Sequence, residues 1–267
     1  MGRFCIHMAY NGLNYCGWQT QPNDPTVQKT LEEALGTLLR TPIAIMGCGR
    51  TDTGVHASDY YAHFDFDDPK GGGMPDNLVF KLNSYLPADL RIFDIFPVPY
   101  NFHARFDAMA RTYRYQLSDQ RLPFHQGLYA RTYFTLDLDK MNRGAEILME
   151  YEDFTSFAKV HTQVKTNICH LYEAHWDREG ELMVFTIKAN RFLRNMVRAI
   201  TGTLIDVGRG ALDYDGLRRV VERKDRCAAG TSMPPQALFL SKVDYPWDEI
   251  WQRPMNPPEK TTNHEIH

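Results

Sequence analysis

Apolar residues recur along this chain at two spacings, and the order in which those spacings follow one another limits the folds that are possible. Alternation at every second residue, typical of half-buried strands, occurs at residues 3–9 and 60–66. Helical spacing begins after Thr26, a suitable N-cap, and occurs again at residues 138–149. Because strands and helices do not alternate regularly, the chain is predicted to be an α+β protein with antiparallel sheets.

The same patterns predict the remaining elements and a tail. Further strands are expected at residues 42–46, 90–98, 110–118, 170–177, 181–188 and 237–243. Further helices are expected at residues 76–86, 191–207 and 213–223. The end of the chain is rich in proline and polar residues, so residues 248–267 are predicted to be a mobile tail.

Charge and cysteine content restrict partners and compartment only loosely. The formal net charge of −3 argues mildly against nucleic acid, although a local basic groove can bind RNA on a protein that is acidic overall. Five widely spaced cysteines favour reduced thiols over a disulfide framework or a zinc site. With no signal-peptide pattern and no run long enough to span a bilayer, a soluble cytoplasmic protein without membrane partners is expected.

The most unusual segment is residues 49–56, GRTDTGVH, between two predicted strands. A rigid scaffold often presents functional loops at strand ends, and here the loop sets Asp52 beside an arginine and two threonines. Asp and Thr next to Gly also form ordinary turns, and for this loop in isolation that interpretation is the more common one. His56 is interpreted as a structural hydrogen-bonding residue, and no spacing suggests a metal site.

Two basic stretches are candidates for RNA contacts. Residues 188–198 carry four positive charges and no acid, and on the predicted helix Arg191, Arg194 and Arg198 would share one face. This pattern fits either an RNA-backbone surface or an ordinary solvated face. Residues 111–115, RTYRY, interleave arginines with tyrosines, which suits phosphates and stacked bases but also suits core packing with arginines that extend to solvent.

Taken together, these segments resemble the TruA family of tRNA pseudouridine synthases. The motifs that carry the resemblance, in family order, are YNG at 10–12, YCGWQ at 15–19, GRTDTGVH at 49–56, FHARF at 102–106, RTYRY at 111–115, DFTSF at 153–157, KAN at 188–190 and MVR at 196–198. They extend from near the N-terminus to the long predicted helix of the second half. So many separate motifs in register make the resemblance highly specific.

The resemblance implies a pseudouridine synthase fold of two α+β halves, each with an antiparallel sheet, that meet at an active-site cleft. The halves would be residues 1–105 and 106–247. It also implies a homodimer that binds tRNA, isomerises uridine in the anticodon stem-loop and needs no cofactor. In the family pattern, Asp52 is the catalytic carboxylate, Tyr113 the active-site tyrosine, Arg198 the partner of Asp52, and Leu238 an apolar contact. Ala237 stands where the family usually has glycine.

Physical reasoning extends these roles to other residues. Arg50, close to Asp52, is the candidate for filling the space that an extruded nucleotide leaves. The candidates for RNA-backbone contacts share a positive charge near these motifs and are Lys188, Arg191, Arg194, Arg105, Arg111 and Arg114. Two alternatives to the isomerase remain: a non-catalytic RNA-binding protein on the same scaffold, and a metal-dependent hydrolase that uses Asp52 and His56. In the first of these, Asp52 would be dispensable.

Overall fold

A computed structural model describes residues 2–67, 71, 73–159 and 166–256 of the chain. In that part of the chain the strands are β1 (Gly2–Tyr10), β2 (Ile45–Gly47), β3 (His56–Phe66), β4 (Leu90–Val98), β5 (Ala110–Ser118), β6 (Ala130–Arg131), β7 (Leu171–Glu179), β8 (Leu182–Ala189) and β9 (Leu238–Asp244). The α-helices are α1 (Val27–Leu39), α2 (Leu78–Tyr85), α3 (Leu138–Leu148), α4 (Met196–Gly208), α5 (Tyr214–Glu222) and α6 (Trp247–Trp251). The α+β prediction is confirmed.

All nine of these described strands belong to one sheet, with the order β4-β1-β3-β9-β5-β8-β7 and with β2 and β6 at the sides of β3 and β5. Neighbours within β4-β1-β3 and within β9-β5-β8-β7 are antiparallel. The two groups meet where β3 and β9 pair in parallel over only two residue pairs, His56 with Phe239 and Ala57 with Leu240. We call this short pairing the seam.

Each group of strands has its own apolar core. The first core contains the buried faces of β1 and β3 with α1 and α2, and the second contains β5 and β8 with α3, α4 and α5. The first core also takes in Leu240, Val243 and Ile250 from the end of the chain. The predicted division at residue 105 remains a prediction that the two cores support, although the last strand contributes to both sides.

Two boundaries differ from the sequence prediction. The helix predicted at 191–207 begins only at Met196, because Asn195 adopts a left-handed conformation with φ of 69°. The prediction that Arg191, Arg194 and Arg198 share one helical face is therefore wrong, since the first two precede the helix. At the other end, the predicted tail of residues 248–267 begins within α6 (Trp247–Trp251), which buries Ile250. Residues 257–267 of that tail lie outside the described residues.

The helices of the described residues are all too short or too polar to cross a membrane. Helix α4, which with α1 is the longest at 13 residues, packs against α3 and lies between the second core and residues 229–233. Gly202 in the middle of α4 lies directly against the backbone of Thr231, so that a Cβ atom added there would lie 1.9 Å from the carbonyl oxygen of Thr231. The close approach of helix and loop requires glycine at this position.

Replacement of Gly202 by alanine is expected to destabilise the fold. The added methyl group must displace the Thr231 backbone, and such overpacking costs about 1–3 kcal/mol of unfolding free energy. The matched control is Gly36→Ala in α1, where the nearest atom is 3.5 Å from the added Cβ and the helix should gain roughly 0.5–1 kcal/mol. Urea unfolding of both variants tests this, and equal midpoints would contradict it.

Candidate active site

The loop that carries Asp52 lies at the seam of the sheet. It connects β2 with β3, and β3 begins at His56, the residue that pairs with Phe239 of β9. Tyr113 lies on β5, the strand on the other side of β9, and pairs with Leu240. The loop therefore stands where the two groups of strands meet, the region in which the resemblance implies a cleft.

Backbone contacts from residues 15–18 fix the shape of this loop. The Trp18 amide donates to the Thr51 carbonyl at 3.3 Å, and the Gly54 amide donates to the Tyr15 carbonyl at 3.2 Å. Gly17 has a φ of +88° and lies so close that a Cβ atom would be 2.4 Å from the Thr51 carbonyl oxygen. The YCGWQ motif, to which sequence reasoning gave no role, thus acts as the support of the Asp52 loop.

Hydroxyl groups of buried tyrosines also contact this loop. The Tyr10 hydroxyl and the Thr51 hydroxyl are 2.9 Å apart, and the Tyr60 hydroxyl donates to the Gly49 carbonyl at 2.5 Å. Trp18 packs against Tyr60 with ring centroids 4.2 Å apart. Burial raises the pKa of both tyrosines well above the usual value, so both phenols stay protonated and can donate.

His56 serves the structure, in agreement with its interpretation from the sequence. Its Nδ1 accepts from the Gly12 amide at 3.0 Å, and its Nε2 lies 2.9 Å from the Gln236 carbonyl oxygen. These contacts require a neutral ring with the proton on Nε2. Burial lowers the pKa of His56 and favours that neutral form. Both ring nitrogens are therefore occupied in joining the two sides of the seam.

Two guanidinium groups contact the carboxylate of Asp52. Nε of Arg194 lies 3.3 Å from Oδ1, and Nη1 of Arg198 lies 3.6 Å from Oδ2. The Asp52 side chain is 27% exposed, Arg198 19% and Arg194 58%. The pairing of Asp52 with Arg198 that the resemblance implied is present. Arg194, predicted only as an RNA-backbone candidate, is a second partner of the same carboxylate.

Arg198 is held in place by the loop that packs on α4. Its Nε donates to the Met233 carbonyl at 2.5 Å, and the Met233 amide donates back to the Arg198 carbonyl at 3.1 Å. Arg198 also lies in the first turn of α4, which fixes its backbone. This guanidinium therefore has a defined position beside Asp52 independently of the carboxylate.

Tyr113 lies close enough to Asp52 for the two to interact electrostatically. Burial raises the pKa of Tyr113 above its usual range, and the nearby Cys48 and Asp52 add to the increase. The ring packs edge-on against Phe192, with centroids 5.1 Å apart, and lies between the two cores. At neutral pH Tyr113 is thus a protonated phenol beside a carboxylate, a possible proton donor in a site that also offers an aromatic surface.

The other two predicted substrate contacts differ in their surroundings. Leu238 is the first residue of β9, is buried in the second core and pairs with Tyr115. Ala237, which replaces the usual glycine of the family, is fully buried just before it and ends a short 3₁₀ helix. Arg50 is exposed at the outer side of the Asp52 loop. Its exposure leaves the side chain free to approach a ligand.

Arg111 makes structural contacts, and its contact with an RNA backbone stays a prediction. Its guanidinium donates to four backbone carbonyls, those of Ala108, Asn190, Cys48 and Arg105, at distances of 2.7–3.1 Å. The group joins the FHARF segment, the start of the Asp52 loop and the KAN segment. A guanidinium saturated by carbonyl acceptors has little capacity left for a phosphate.

The other basic candidates do not form one surface. Strand alternation sets Lys188 and Arg114 on the face opposite Tyr113, where Lys188 pairs with Asp244 and Arg114 with Glu179. Arg105 is exposed beside Phe106, with its guanidinium carbon 5.6 Å from the ring centroid. Arg191 is half-buried near Cys169, whose pKa is raised by burial and lowered in part by this arginine. Their contacts with RNA stay a prediction.

In the described part of the chain, no three His, Cys, Asp or Glu side chains are grouped so that they could hold a metal ion. The described side chains that meet at the site are those of Asp52, Tyr113, Arg194 and Arg198. Sequence reasoning missed the loop supports Tyr10 and Thr51 and the anchor Met233. Because Arg194 precedes α4, its spacing of four residues from Arg198 was no valid signal for the contact that both make with Asp52.

Comparisons with known proteins agree with the resemblance seen in the sequence. A family model described as tRNA pseudouridine synthase matches residues 151–246. A protein named tRNA pseudouridine synthase A from Parabacteroides distasonis is 53% identical over 249 residues, which are 92% of this chain and 97% of that relative. Proteins of the same name from Bacteroides thetaiotaomicron and a Geobacter species are 52% and 41% identical, over 93% and 90% of this chain and 92% and 97% of the respective relatives.

Replacement of Arg111 by lysine is expected to destabilise the chain, because one ammonium group cannot satisfy the carbonyls that the guanidinium contacts. A buried acceptor left without its partner costs about 1–3 kcal/mol. The matched control on the same strand is Arg114→Lys, whose ion pair with Glu179 is exposed and contributes at most about 1 kcal/mol. Urea unfolding compares the two variants, and equal losses of unfolding free energy would refute the structural role.

Proposed function

Because this chain belongs to the TruA family of tRNA pseudouridine synthases, we propose that it is an isomerase that converts uridine to pseudouridine in the anticodon stem-loop of tRNA. The observation that carries the proposal is the carboxylate of Asp52, which lies between two guanidiniums and next to Tyr113 at the seam of the sheet. A protein that only binds RNA gains nothing from a carboxylate facing phosphates.

The reaction determines what the site must provide. The bond between N1 of the base and C1′ of the ribose breaks, and a bond between C5 and C1′ forms. One proton leaves C5, and N1 ends with a proton, so the atoms balance without an oxidant or reductant. The base must detach, turn and be retained during this sequence, which requires a nucleophile or an anion, an aromatic surface and a proton carrier.

Asp52 is the proposed catalytic group. An ionised carboxylate can attack as a nucleophile or stabilise the positive charge that develops on the ribose. Arg198 and Arg194 offset the cost of holding this charge in a partly shielded site. The support of the loop by Gly17, Trp18 and Tyr60 holds the backbone on either side of Asp52, which favours a defined approach of the nucleotide.

Tyr113 is proposed to contact the uracil. Stacking of a base on an aromatic ring contributes roughly 1–3 kcal/mol and would retain the detached base. The raised pKa keeps the hydroxyl protonated, so it can donate the proton that N1 receives. Leu238 follows on β9, the strand next to Tyr113, and is proposed as the apolar contact on the other side of the base.

Extrusion of the target nucleotide costs a few kcal/mol of lost stacking, and Arg50 is proposed to fill the space it leaves. The exposure of Arg50 at the rim of the Asp52 loop supports this role. Arg105, Arg191 and Arg194 are proposed to contact the RNA backbone, since their guanidiniums are not saturated by carbonyl acceptors as that of Arg111 is. We further propose that the protein acts as a homodimer in the cytoplasm, where tRNA is available.

Asp52→Asn is expected to abolish isomerisation while tRNA binding persists, because the amide keeps the shape of the side chain but neither attacks nor carries charge. Tritium release from tRNA labelled at uracil C5 measures the reaction, and filter binding measures affinity. Asp24→Asn, a change at an exposed aspartate outside the site, is the control and should retain wild-type release. Substantial release from Asp52→Asn would favour the non-catalytic role of this residue.

Tyr113→Phe is expected to retain the stacking surface and to lose proton transfer, which typically contributes about 10²–10⁴-fold to a rate. Tyr113→Ala should in addition weaken tRNA binding. Since burial raises the pKa of Tyr113, the phenol is fully protonated below its raised pKa. Wild-type turnover should therefore show no fall from phenol ionisation between about pH 6 and 9. A rate of Tyr113→Phe close to that of the wild type would exclude the hydroxyl from the reaction.

A further inference from the structure

The two arginines on Asp52 are held in different ways. Arg198 is mostly buried and is anchored through the Met233 carbonyl, as well as through its place in α4. Arg194 is 58% exposed and precedes the helix, next to the left-handed residue Asn195. Among the residues that the structure describes, Asp52 is the one acceptor found for the Arg194 side chain.

Each arginine contacts its own oxygen of the carboxylate. Arg198 is nearest to Oδ2 and Arg194 to Oδ1, so each oxygen of Asp52 has a guanidinium next to it. A nucleotide that reacts with Asp52, or approaches it closely, needs at least one uncovered oxygen. Arg194 can move away from Oδ1 without breaking the hydrogen bond between Arg198 and Met233.

Of the two partners of Asp52, Arg194 is the more accessible from solvent, since its side chain is 58% exposed and that of Arg198 is 19% exposed. Behind the loop, Thr51 is buried against the Tyr10 hydroxyl, and Gly17 packs on the loop backbone. A nucleotide that comes from solvent therefore meets the more exposed Arg194 before it meets Arg198. The distances of 3.3 Å from Arg194 Nε to Oδ1 and 3.6 Å from Arg198 Nη1 to Oδ2 both exceed the usual 2.7–2.9 Å of a charge-assisted hydrogen bond. What distinguishes the two arginines is therefore the hydrogen bond of Arg198 to Met233 and the greater exposure of Arg194.

We propose that Arg194 is a displaceable cap on Asp52: it covers Oδ1 in the free protein and moves to a phosphate of the tRNA when the nucleotide enters. The phosphate replaces the carboxylate as the anion that the guanidinium contacts, so the arginine keeps a partner of the same charge. Arg198 stays on Oδ2 and keeps the carboxylate oriented. Arg194 is thus a positioning residue that links RNA binding to the uncovering of Asp52.

This inference rests on the proposed function, since it assumes a tRNA substrate, and it is tested by binding rather than by turnover. The ligand is tRNA that already contains pseudouridine, which no variant converts further. Four proteins form a double-mutant cycle: the wild type, Asp52→Asn, Arg194→Ala and the double variant. Arg143→Ala removes an arginine of equal exposure, 58%, from an ion pair with Glu146 on α3 and is the matched control.

Two results are expected. The dependence of log Kd on log salt concentration should become shallower by about one in Arg194→Ala, because one phosphate contact is lost, and Arg194→Lys should restore most of it. When Arg194 is present, Asp52→Asn should tighten tRNA binding roughly threefold, because Arg194 then has no ion pair with residue 52 to break as it moves to the phosphate. When Arg194 is absent, Asp52→Asn should have little effect on tRNA binding. Arg143→Ala should leave both measurements as in the wild type.

Other outcomes would overturn the proposal. An unchanged salt dependence in Arg194→Ala would show that Arg194 does not reach a phosphate. A reduced salt dependence with an equal effect of Asp52→Asn in both backgrounds would show a phosphate contact without release from Asp52. In either case a wild-type protein that binds and isomerises tRNA keeps the proposed function intact, whereas a wild-type protein that does neither refutes that function instead.

Discussion

The parallel pairing of β3 with β9 determines where every group of the candidate site lies. Only two residue pairs form it, yet it joins the antiparallel strands of the first half to those of the second and makes one continuous sheet. The Asp52 loop ends at the first residue of this pairing, and Tyr113 lies one strand beyond it. His56 reinforces the pairing through both ring nitrogens, which contact Gly12 on one side and Gln236 on the other.

At this junction the carboxylate of Asp52 lies where water reaches it only partly. A carboxylate in such a place needs compensating charge, and two arginines from residues near the start of α4 provide it. The rigidity of the arrangement comes from backbone contacts to the Asp52 loop and from the anchor of Arg198 on Met233. Much of the surrounding motif is therefore explained by support of the loop rather than by contact with a substrate.

The sequence predicts the elements of this fold well where side-chain alternation is strong. The strands at 90–98 and 110–118 have the predicted bounds, and α1 begins after the predicted cap Thr26, whose hydroxyl accepts from the Lys29 amide. The start of α4 is different, because Phe192 continues the apolar spacing of Met196 and Ile200 although Asn195 has a left-handed backbone. A conformation at one residue leaves no trace in a hydrophobic pattern.

Site residues were predictable where motifs carried them, and their contacts were not. Charge and spacing could identify Arg111 as basic and near aromatics, but they could not show that four carbonyls from three separate segments converge on it. The same limit applies to the pairing of β3 with β9, since residues 56 and 239 are far apart in the chain and carry no complementary pattern. Long-range partners of this kind depend on tertiary packing, which periodicity does not encode.

The position of β9 also affects when during synthesis the site can form. The strand lies in the middle of the sheet but is made from residues 238–244, close to the end of the chain, and Leu240, Val243 and Ile250 complete the core of the N-terminal half. Chains generally fold from the N-terminus as they leave the ribosome. Here the first half lacks part of its interior until the last strand has been translated, so a nascent or truncated chain that ends before β9 has no assembled site with which to act on RNA.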